Sequence, residues 1–160
     1  MLVTDKFVFF YGGPFSNFAD AHFNLNGMKF NCSEQYFMYR KAMQFNDIIS
    51  TKKIMTTDDP YKQKRLGKKV VGFDADIWAQ VRYDAMLDGL RAKFKIPEFQ
   101  EALILTGNRT IVEASPFDTI WGIGLCADDP RALHPDQWLG ENLLGKALMQ
   151  VREEINGGLI

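Results

Sequence analysis

Residues 23–43 read FNLNGMKFNCSEQYFMYRKAM, and their hydrophobic period changes part-way along. Apolar and polar residues alternate on both sides of Asn26-Gly27, a pair that type I′ β-hairpin turns prefer. From Glu34 to Met43 the pattern becomes that of a helix, and Ser33 is the predicted N-cap. A hairpin that leads directly into a helix indicates an α+β fold.

Most of the other predicted elements are helices. A strand is predicted over residues 7–11, where Gly12-Gly13-Pro14 ends it. Further helices are predicted over 47–55, 76–94, 97–107 and 142–154, with a short strand over 109–114 and loops over 115–139. The predicted apolar stripes are Ile77, Val81, Met86, Leu87, Leu90 and Phe94 in the longest helix, and Leu144, Ala147, Leu148 and Val151 in the last. The predicted fold is therefore a predominantly helical α+β single domain over residues 1–160, with a few short strands.

The composition excludes two classes of protein. The 160 residues are 46% hydrophobic and 24% charged, which is typical of a folded chain and not of a disordered one. The formal net charge of -1 excludes a histone-like protein that binds nucleic acid through bulk charge. The charges are nevertheless uneven, because residues 1–95 carry 15 basic and 10 acidic side chains (+5) and residues 96–160 carry 4 and 10 (-6). We expect an anionic ligand near the positive part of the chain.

The cysteines and histidines predict no metal site. Cys32 and Cys126 lie far apart and form no CxxC motif, and only His22 and His134 are available to join them. Two free thiols in a reducing compartment are expected. The N-terminus does not resemble a secretory signal, and no apolar run approaches the roughly 20 residues that a membrane span needs. We therefore expect a cytoplasmic protein, which includes a viral protein made in a host cytoplasm.

Three motifs combine residue types that bind ligands or catalyse reactions. The first is Phe15-Ser16-Asn17-Phe18, a polar pair between aromatic residues after a glycine turn. The amide of Asn17 both donates and accepts hydrogen bonds, which suits a base or a ribose hydroxyl. The alternative is that Ser16 and Asn17 satisfy backbone groups of the turn.

The second motif is Ser33-Glu34-Gln35-Tyr36-Phe37 at the start of the first helix. A carboxylate in this position is favoured by the helix dipole alone, which is the structural explanation of Glu34. Lys41, however, follows two helical turns later on the same face. Neighbouring aromatic residues can also shield the carboxylate and change its proton affinity. A catalytic Glu34 is therefore the competing interpretation.

The third motif, EASPFDTIWGIG, covers residues 113–124. It combines a second acidic residue, Asp118, with Trp121 and two glycines, Gly122 and Gly124. Glycine permits close backbone approach to a ligand, and tryptophan offers a stacking face. A glycine-flanked tryptophan is also common in ordinary packing. GxGxxG, Walker A, HExxH and GxSxG motifs do not occur.

A basic segment begins within the predicted helix over 47–55 and extends beyond it to Lys69. It contains seven positive residues: Lys52, Lys53, Lys62, Lys64, Arg65, Lys68 and Lys69. One interpretation is a solvated helix face. The other is phosphate recognition near the mouth of a pocket.

Taken together, these segments resemble the NADAR family, the YbiA-like N-glycosidases, over about residues 9–155. The resemblance is carried by FSNF (15–18), SEQYF (33–37) with Lys41, Trp78 with Arg82 and Met86, LRAKF (90–94), LTG (105–107), VEAS (112–115), DTIWGIG (118–124) and WLGENLLGKALM (138–149). Each segment is weak alone, but their order and spacing make the resemblance specific. Gln35 departs from the family pattern, since many relatives carry histidine there.

The resemblance implies an enzyme that hydrolyses the C–N glycosidic bond between a ribose and a nitrogenous group, without a cofactor. Two substrate classes are associated with relatives. One comprises phosphorylated early intermediates of riboflavin biosynthesis, and the other comprises ADP-ribose attached to guanine in nucleic acid. Both contain an anionic phosphate, which agrees with the uneven distribution of charge.

On this basis we predict two catalytic residues, Glu34 as the principal carboxylate and Asp118 as the second polar group. The predicted substrate contacts are Ser16, Asn17, Phe18, Tyr36, Lys41, Trp78, Trp121, Gly122 and Asn142. Among them Trp121 would stack on the base, Asn17 and Asn142 would orient ribose hydroxyls, and Lys41 would meet phosphate.

Two other functions share parts of this pattern. A binding module that recognises ADP-ribose or another nucleotide without hydrolysing it has the same stacking and phosphate contacts, but little need for Glu34 and Asp118. A small helical interaction domain without a ligand would show no thermal shift with nucleotides.

Overall fold

A computed structural model describes all residues from Met1 to Ile160, which form six helices and five strands. The helices are α1 (Ser33–Gln44), α2 (Ile48–Met55), α3 (Pro60–Gly67), α4 (Ala75–Lys93), α5 (Pro97–Ile104) and α6 (Leu143–Asn156). The strands are β1 (Leu2–Val3), β2 (Phe7–Phe10), β3 (Phe23–Leu25), β4 (Met28–Phe30) and β5 (Thr110–Glu113). The predominantly helical α+β fold is confirmed. None of the helices combines the length and apolar character needed to cross a membrane.

The chain divides into two compact units. Asn17–Ile96 forms the first, called here the central unit, and Met1–Ser16 with Pro97–Ile160 forms the second, the terminal unit. The central unit carries 14 Lys and Arg against 9 Asp and Glu, whereas the terminal unit carries 5 against 11. The uneven charge of the sequence therefore follows this division. The single domain over residues 1–160 stays a prediction.

The terminal unit is built on a small sheet in the order β1-β2-β5. β1 is antiparallel to β2, and β2 is parallel to β5, with Phe7 opposite Thr110 and Phe10 opposite Glu113. Phe9 and Val112 are completely buried in its core. The predicted inward residues of α6 are all buried, and α6 packs against β5.

In the central unit the predicted hairpin is confirmed. Asn26 and Gly27 have φ of 53° and 78°, as a type I′ turn requires. The hairpin packs on Tyr36 of α1 in an aromatic cluster. Helix α1 contacts α2, α3 and α4 and is the centre of this unit. α3 approaches α1 closely at Gly67, where a Cβ atom would collide with the sulfur of Met38.

Three local predictions were wrong. Cys32, not Ser33, occupies the N-cap position of α1, because the Ser33 hydroxyl donates instead to Oδ1 of Asn17 at 2.9 Å. The basic segment contains a helix, α3, which is missing from the predicted helix bounds, although a solvated helix face is one interpretation of this segment. Ile77 of the predicted α4 stripe is 44% exposed, and its neighbour Trp78 is buried in its place.

Candidate active site

Glu34 is the second residue of α1 and is 7% exposed. Its backbone N–H donates to the carbonyl of Asn17 at 3.0 Å, and the neighbouring Ser33 hydroxyl donates to the Asn17 side chain. The amide nitrogen of Asn17 in turn approaches the sulfur of Met86 at 3.6 Å. Asn17 therefore holds the start of α1 and fixes the point at which the Glu34 side chain leaves the backbone.

Lys41 lies two turns further along α1 and interacts electrostatically with Glu34. Burial lowers the pKa of the Lys41 ammonium, the charge of Glu34 opposes this effect, and the nearby ammonium of Lys68 adds to it. Its Nζ lies 4.5 Å from the ring centre of Phe73, whose edge meets Phe45. A cation over an aromatic face is held by the ring quadrupole. A carboxylate and a partly desolvated ammonium thus occupy one face of α1.

A buried polar network supports the start of α1. The Cys32 thiol donates to Oε1 of Gln63 at 3.1 Å, and the Gln63 amide donates to the carbonyl of Thr57 at 2.7 Å. Gln35 accepts from the backbone of Asn31 at 2.8 Å and donates to the carbonyl of Ile54 at 3.1 Å. In this chain Gln35 therefore joins the segment before α1 to the last turn of α2, and both ends of its amide group are needed for that task.

Lys93 is a buried lysine that the sequence analysis did not single out. Its side chain is 0% exposed, and its Nζ lies 5.2 Å from the ring centre of Phe94. Burial lowers its pKa to about 7, which interaction with Cys32 partly opposes. Burial likewise raises the pKa of Cys32 to about 11, and that thiol interacts with both Glu34 and Lys93. Lys93 therefore belongs to the same electrostatic cluster as Glu34.

The three aromatic residues predicted as substrate contacts in this unit differ in position. Phe18 is half-buried and meets the ring of Tyr61 edge-on, with centroids 4.9 Å apart. Tyr36 is 2% exposed in the hairpin cluster, and its hydroxyl accepts from Arg40 at 2.7 Å. Trp78 is 7% exposed and packs on Phe37. Tyr36 and Trp78 thus have packing roles, whereas Phe18 retains access to solvent.

A cavity of 540 Å³ lies on the Tyr36 side of α1, between the hairpin and the end of α4. Its lining includes Tyr36, Asp88 and Arg91 but not Glu34 or Lys41. Because Tyr36 follows Glu34 by two residues, about 200° around the helix, this cavity faces away from the Glu34 carboxylate. The candidate active site around Glu34 therefore lies outside this cavity.

In the terminal unit, the predicted residues Asp118, Trp121 and Gly122 share one loop. Oδ1 of Asp118 accepts from the backbone N–H groups of Ile120 and Trp121 at 2.9 and 2.8 Å. Trp121 is half-buried, and the carbonyl of the buried Gly122 accepts from the backbone of Asn142 at 3.1 Å. Asp118 therefore shapes the loop that carries the tryptophan.

Asn142 and Ser16 of the terminal unit form hydrogen bonds with backbone groups. Asn142 is 1% exposed with φ of 53°, its Oδ1 accepts from Glu113 N–H, and its Nδ2 donates to the carbonyl of Ile111, both at 3.0 Å. This amide, for which orientation of a ribose is predicted, attaches the start of α6 to β5. Ser16 is half-buried, and its backbone N–H donates to Gly13 at 3.1 Å.

No group of three His, Cys, Asp or Glu side chains in the structure lies close enough together to hold a metal ion. The chemistry available around Glu34 is that of a carboxylate, two lysines and amide groups. Such a set can stabilise positive charge on a sugar and bind an anionic group.

Comparison with known proteins places the chain in one family. The NADAR domain model matches residues 9–156. N-glycosidase R617 of Acanthamoeba polyphaga mimivirus is 43% identical over 94% of this chain and 97% of its own length. Protein irg-1 of Caenorhabditis elegans is 37% identical over 95% of this chain and 81% of its own length.

A solved structure agrees with this placement. N-glycosidase YbiA of Escherichia coli is 29% identical over 96% of this chain and 91% of its own length. The NMR structure of the E. coli protein YbiA matches the present fold with a TM-score of 0.78 at 28% identity, covering 99% of this chain and 89% of that one. The chain therefore belongs to the NADAR domain family and is an enzyme of the N-glycosidase class, a hydrolase of N-glycosyl bonds.

Proposed function

We propose that this N-glycosidase cleaves the bond between a phosphorylated ribose, or the ribose of ADP-ribose, and a nitrogenous base, with Glu34 as the principal catalytic carboxylate. The proposal depends on the placement of Glu34, which is nearly buried, has its backbone fixed by Asn17 and interacts electrostatically with Lys41. A carboxylate so placed can act on a developing sugar cation in a site that also accommodates an anion.

The reaction breaks the C1–N bond and one O–H bond of water, and it forms a C1–O bond and an N–H bond. Water attacks C1 of the ribose, the C1–N bond breaks, its electrons pass to the base, and a proton reaches the base nitrogen. The products are a sugar with a free C1 hydroxyl and a free base. The transition state is oxocarbenium-like. Glu34 stabilises that positive charge or takes the proton from the attacking water.

Neighbouring groups have distinct tasks in this proposal. Lys41 binds the phosphate, because its ammonium is partly desolvated and lies on the Glu34 face of α1. Asn17 uses its oxygen for Ser33, and its Nδ2 supplies a second N–H for a ribose hydroxyl. In this proposal Asp118 is the second polar group, and Trp121, with Gly122 beside it, is the stacking group. Both roles rest on the family resemblance, and substitution of each residue tests them.

The test of the catalytic role is the Glu34→Gln variant. General acid–base catalysis contributes about 10²- to 10⁴-fold, so kcat should fall by at least that factor while the melting temperature changes little. Free base and free sugar are quantified by chromatography. Glu98→Gln is the matched control, because Glu98 also lies in the first turn of a helix but is exposed. Hydrolysis by Glu34→Gln at the wild-type rate would show that Glu34 is not the catalytic carboxylate.

The substrate is identified by a turnover assay on the two classes side by side. Phosphorylated riboflavin precursors and ADP-ribosylated guanine are each incubated with the wild-type enzyme, and kcat/KM is compared. The proposal expects release of free base from at least one class. Binding of both without release of base would instead indicate a nucleotide-binding module.

A further inference from the structure

The cavity between the hairpin and the end of α4 has an apolar floor. Phe23, Tyr36 and Ala92 form this floor and are 8%, 2% and 9% exposed. The half-buried side chains of Leu25 and Ile96 complete the apolar part of the lining. Every lining residue belongs to the central unit. The volume of 540 Å³ lies within the range of about 300–1,000 Å³ that is typical of small-molecule sites.

The wall of this cavity at the end of α4 is charged. Asp88, Arg91 and Lys95 line it, and their spacing of three and four residues places them on one side of the chain. Arg40 donates to Asp88 at 2.7 Å, whereas Arg91 reaches the same carboxylate only at 3.5 Å. Lys95 forms no ion pair. The Asp88 charge is therefore balanced mainly by Arg40, and the wall retains a positive excess at Arg91 and Lys95.

Tyr36 contributes a hydrogen-bond donor that the protein does not use. Its hydroxyl oxygen accepts from Arg40 at 2.7 Å, but no protein group accepts the proton of this hydroxyl. The same Arg40 nitrogen donates to Asp88, so the hydroxyl lies beside the charged wall. Burial raises the pKa of Tyr36, and the hydrogen bond from Arg40 only partly opposes this effect, so the proton is present at neutral pH. A buried donor without an acceptor favours a ligand that supplies one.

We infer that this cavity binds a small monocarboxylate with a flat apolar body, whose carboxylate lies among Arg91, Lys95 and the Tyr36 hydroxyl. A guanidinium and an ammonium group suit a carboxylate, and the aromatic floor suits the apolar body. The Asp88 carboxylate on the same wall repels a second negative charge, which disfavours a doubly charged phosphate. The site goes beyond the proposed function, because it excludes Glu34 and does not take the phosphorylated substrate.

The positions of Arg91 and Lys95 have a purely structural alternative. Cations near the C-terminus of a helix are favoured by the helix dipole. This effect explains neither the apolar floor nor the unused proton of Tyr36. It predicts that substitution of Arg91 lowers the melting temperature and leaves ligand binding absent or unchanged.

The test titrates the protein with three probes that have a phenyl ring in common. Cinnamate is a flat monocarboxylate, cinnamamide is its uncharged counterpart, and phenyl phosphate is largely a dianion above its second pKa of about 6. Binding is followed by two-dimensional amide NMR, which also shows where each probe binds. The variants are Arg91→Gln, Lys95→Gln and Tyr36→Phe, which keeps the buried ring. Lys6→Gln is the matched control for loss of one charge, because Lys6 is exposed and does not line the cavity.

The inference predicts a graded set of affinities. Cinnamate should bind the wild type with a dissociation constant on the order of 1 mM and shift the amide signals of Leu25, Arg91 and Ala92. Cinnamamide should bind about 10-fold more weakly, and Arg91→Gln and Tyr36→Phe should each weaken cinnamate binding by about 10-fold, since hydrogen bonds to a charged group are lost. Lys95→Gln should weaken it by about 2- to 5-fold, because this ammonium is exposed. Lys6→Gln should bind cinnamate as the wild type does.

Four results would overturn the inference. They are no shift of the cavity signals at about 10 mM cinnamate, equal binding of cinnamate and cinnamamide, tighter binding of phenyl phosphate than of cinnamate in the cavity, and equal losses in Arg91→Gln and Lys6→Gln. Hydrolysis is not part of this measurement. Failure of cinnamate to bind therefore leaves the proposed reaction standing, and an inactive Glu34 leaves this site standing.

Discussion

Lys93 leads to a prediction with a definite sign and size. Burial lowers the pKa of its ammonium from 10.5 to about 7 in the folded protein. In the unfolded chain the ammonium is solvated again and its pKa returns to the ordinary value. Because one pKa unit corresponds to about 1.36 kcal/mol, the buried charge should cost on the order of 4 kcal/mol of folding free energy at pH 7. Lys93→Met should therefore increase the free energy of unfolding at that pH.

The dependence of the free energy of unfolding on pH shows whether the charge of Lys93 causes the loss of stability. Between about pH 7 and pH 10.5 the unfolded state binds more protons than the folded state, because the folded pKa is the lower one. Through this residue, wild-type stability should rise with pH by about 1.4 kcal/mol per pH unit in that window. Below pH 7 the full cost is present, and above pH 10.5 it is lost. The advantage of Lys93→Met should shrink along the same course.

The measurement is urea unfolding of wild type and variant by circular dichroism, from about pH 6 to about pH 10. Lys95→Met is the matched control, because Lys95 lies two residues further along the chain and is exposed. The control should follow the pH dependence of the wild type. A stability difference between Lys93→Met and wild type that stays constant with pH would refute the argument, since added apolar burial alone would produce it.

Two further predictions concern single side chains. Asp118→Asn keeps the oxygen that accepts from Ile120 and Trp121, so its free energy of unfolding should be close to that of the wild type. Asp118→Ala removes this oxygen and should lose about 1–3 kcal/mol in urea unfolding. Equal losses in the two variants would contradict the role of this oxygen in shaping the loop. Native protein at about pH 8 should react with iodoacetamide at the exposed Cys126 but not at Cys32, whose thiol is buried with a pKa of about 11, and both should react in urea. Mass spectrometry counts the labels, and two labels on the native protein would contradict the burial of Cys32.

The elements that could be predicted are those with a local signal. Asn26-Gly27 specifies its turn by its own backbone preference, and it does so in the structure. The acidic N-caps Asp47 and Asp74 accept hydrogen bonds from the first turns of α2 and α4, near the predicted starts of these helices. Short-range chemistry was sufficient in these cases because the interacting groups are only a few residues apart.

Helix α3 could not be predicted from hydrophobic periodicity. Its buried face consists of Gln63, which hydrogen-bonds loops, and Gly67, which admits Met38. Neither residue is apolar, so no stripe appears in the sequence. The prediction of Ser33 as the N-cap was wrong for a related reason. Its hydroxyl donates to Asn17, sixteen residues earlier in the chain, and is not available for capping.

The site residues stay predictions, but the structure shows which of their interactions a sequence can reveal. Glu34 and Lys41 were linked by the helical repeat, and their charges interact in the structure. Lys93 was missed because lysine counts as a surface residue, although it follows the buried Gly89 by four positions and Leu90 by three. The hydrogen bonds of Asn142, which is predicted as a substrate contact, could not be foreseen, because the backbone groups that it binds lie about thirty residues away. Such pairings are invisible until the chain is folded.

The order of elements along the chain also affects how the protein is made. β2 emerges from the ribosome early, but its parallel partner β5 follows only after the whole central unit, with Phe7 opposite Thr110. At about 5–20 residues per second this interval lasts on the order of 5–20 s. β1 can cover one edge of β2 in that time, while the other edge of an apolar strand stays open. The nascent chain therefore passes through a period of aggregation risk in which chaperone binding to Phe7–Phe10 is favoured.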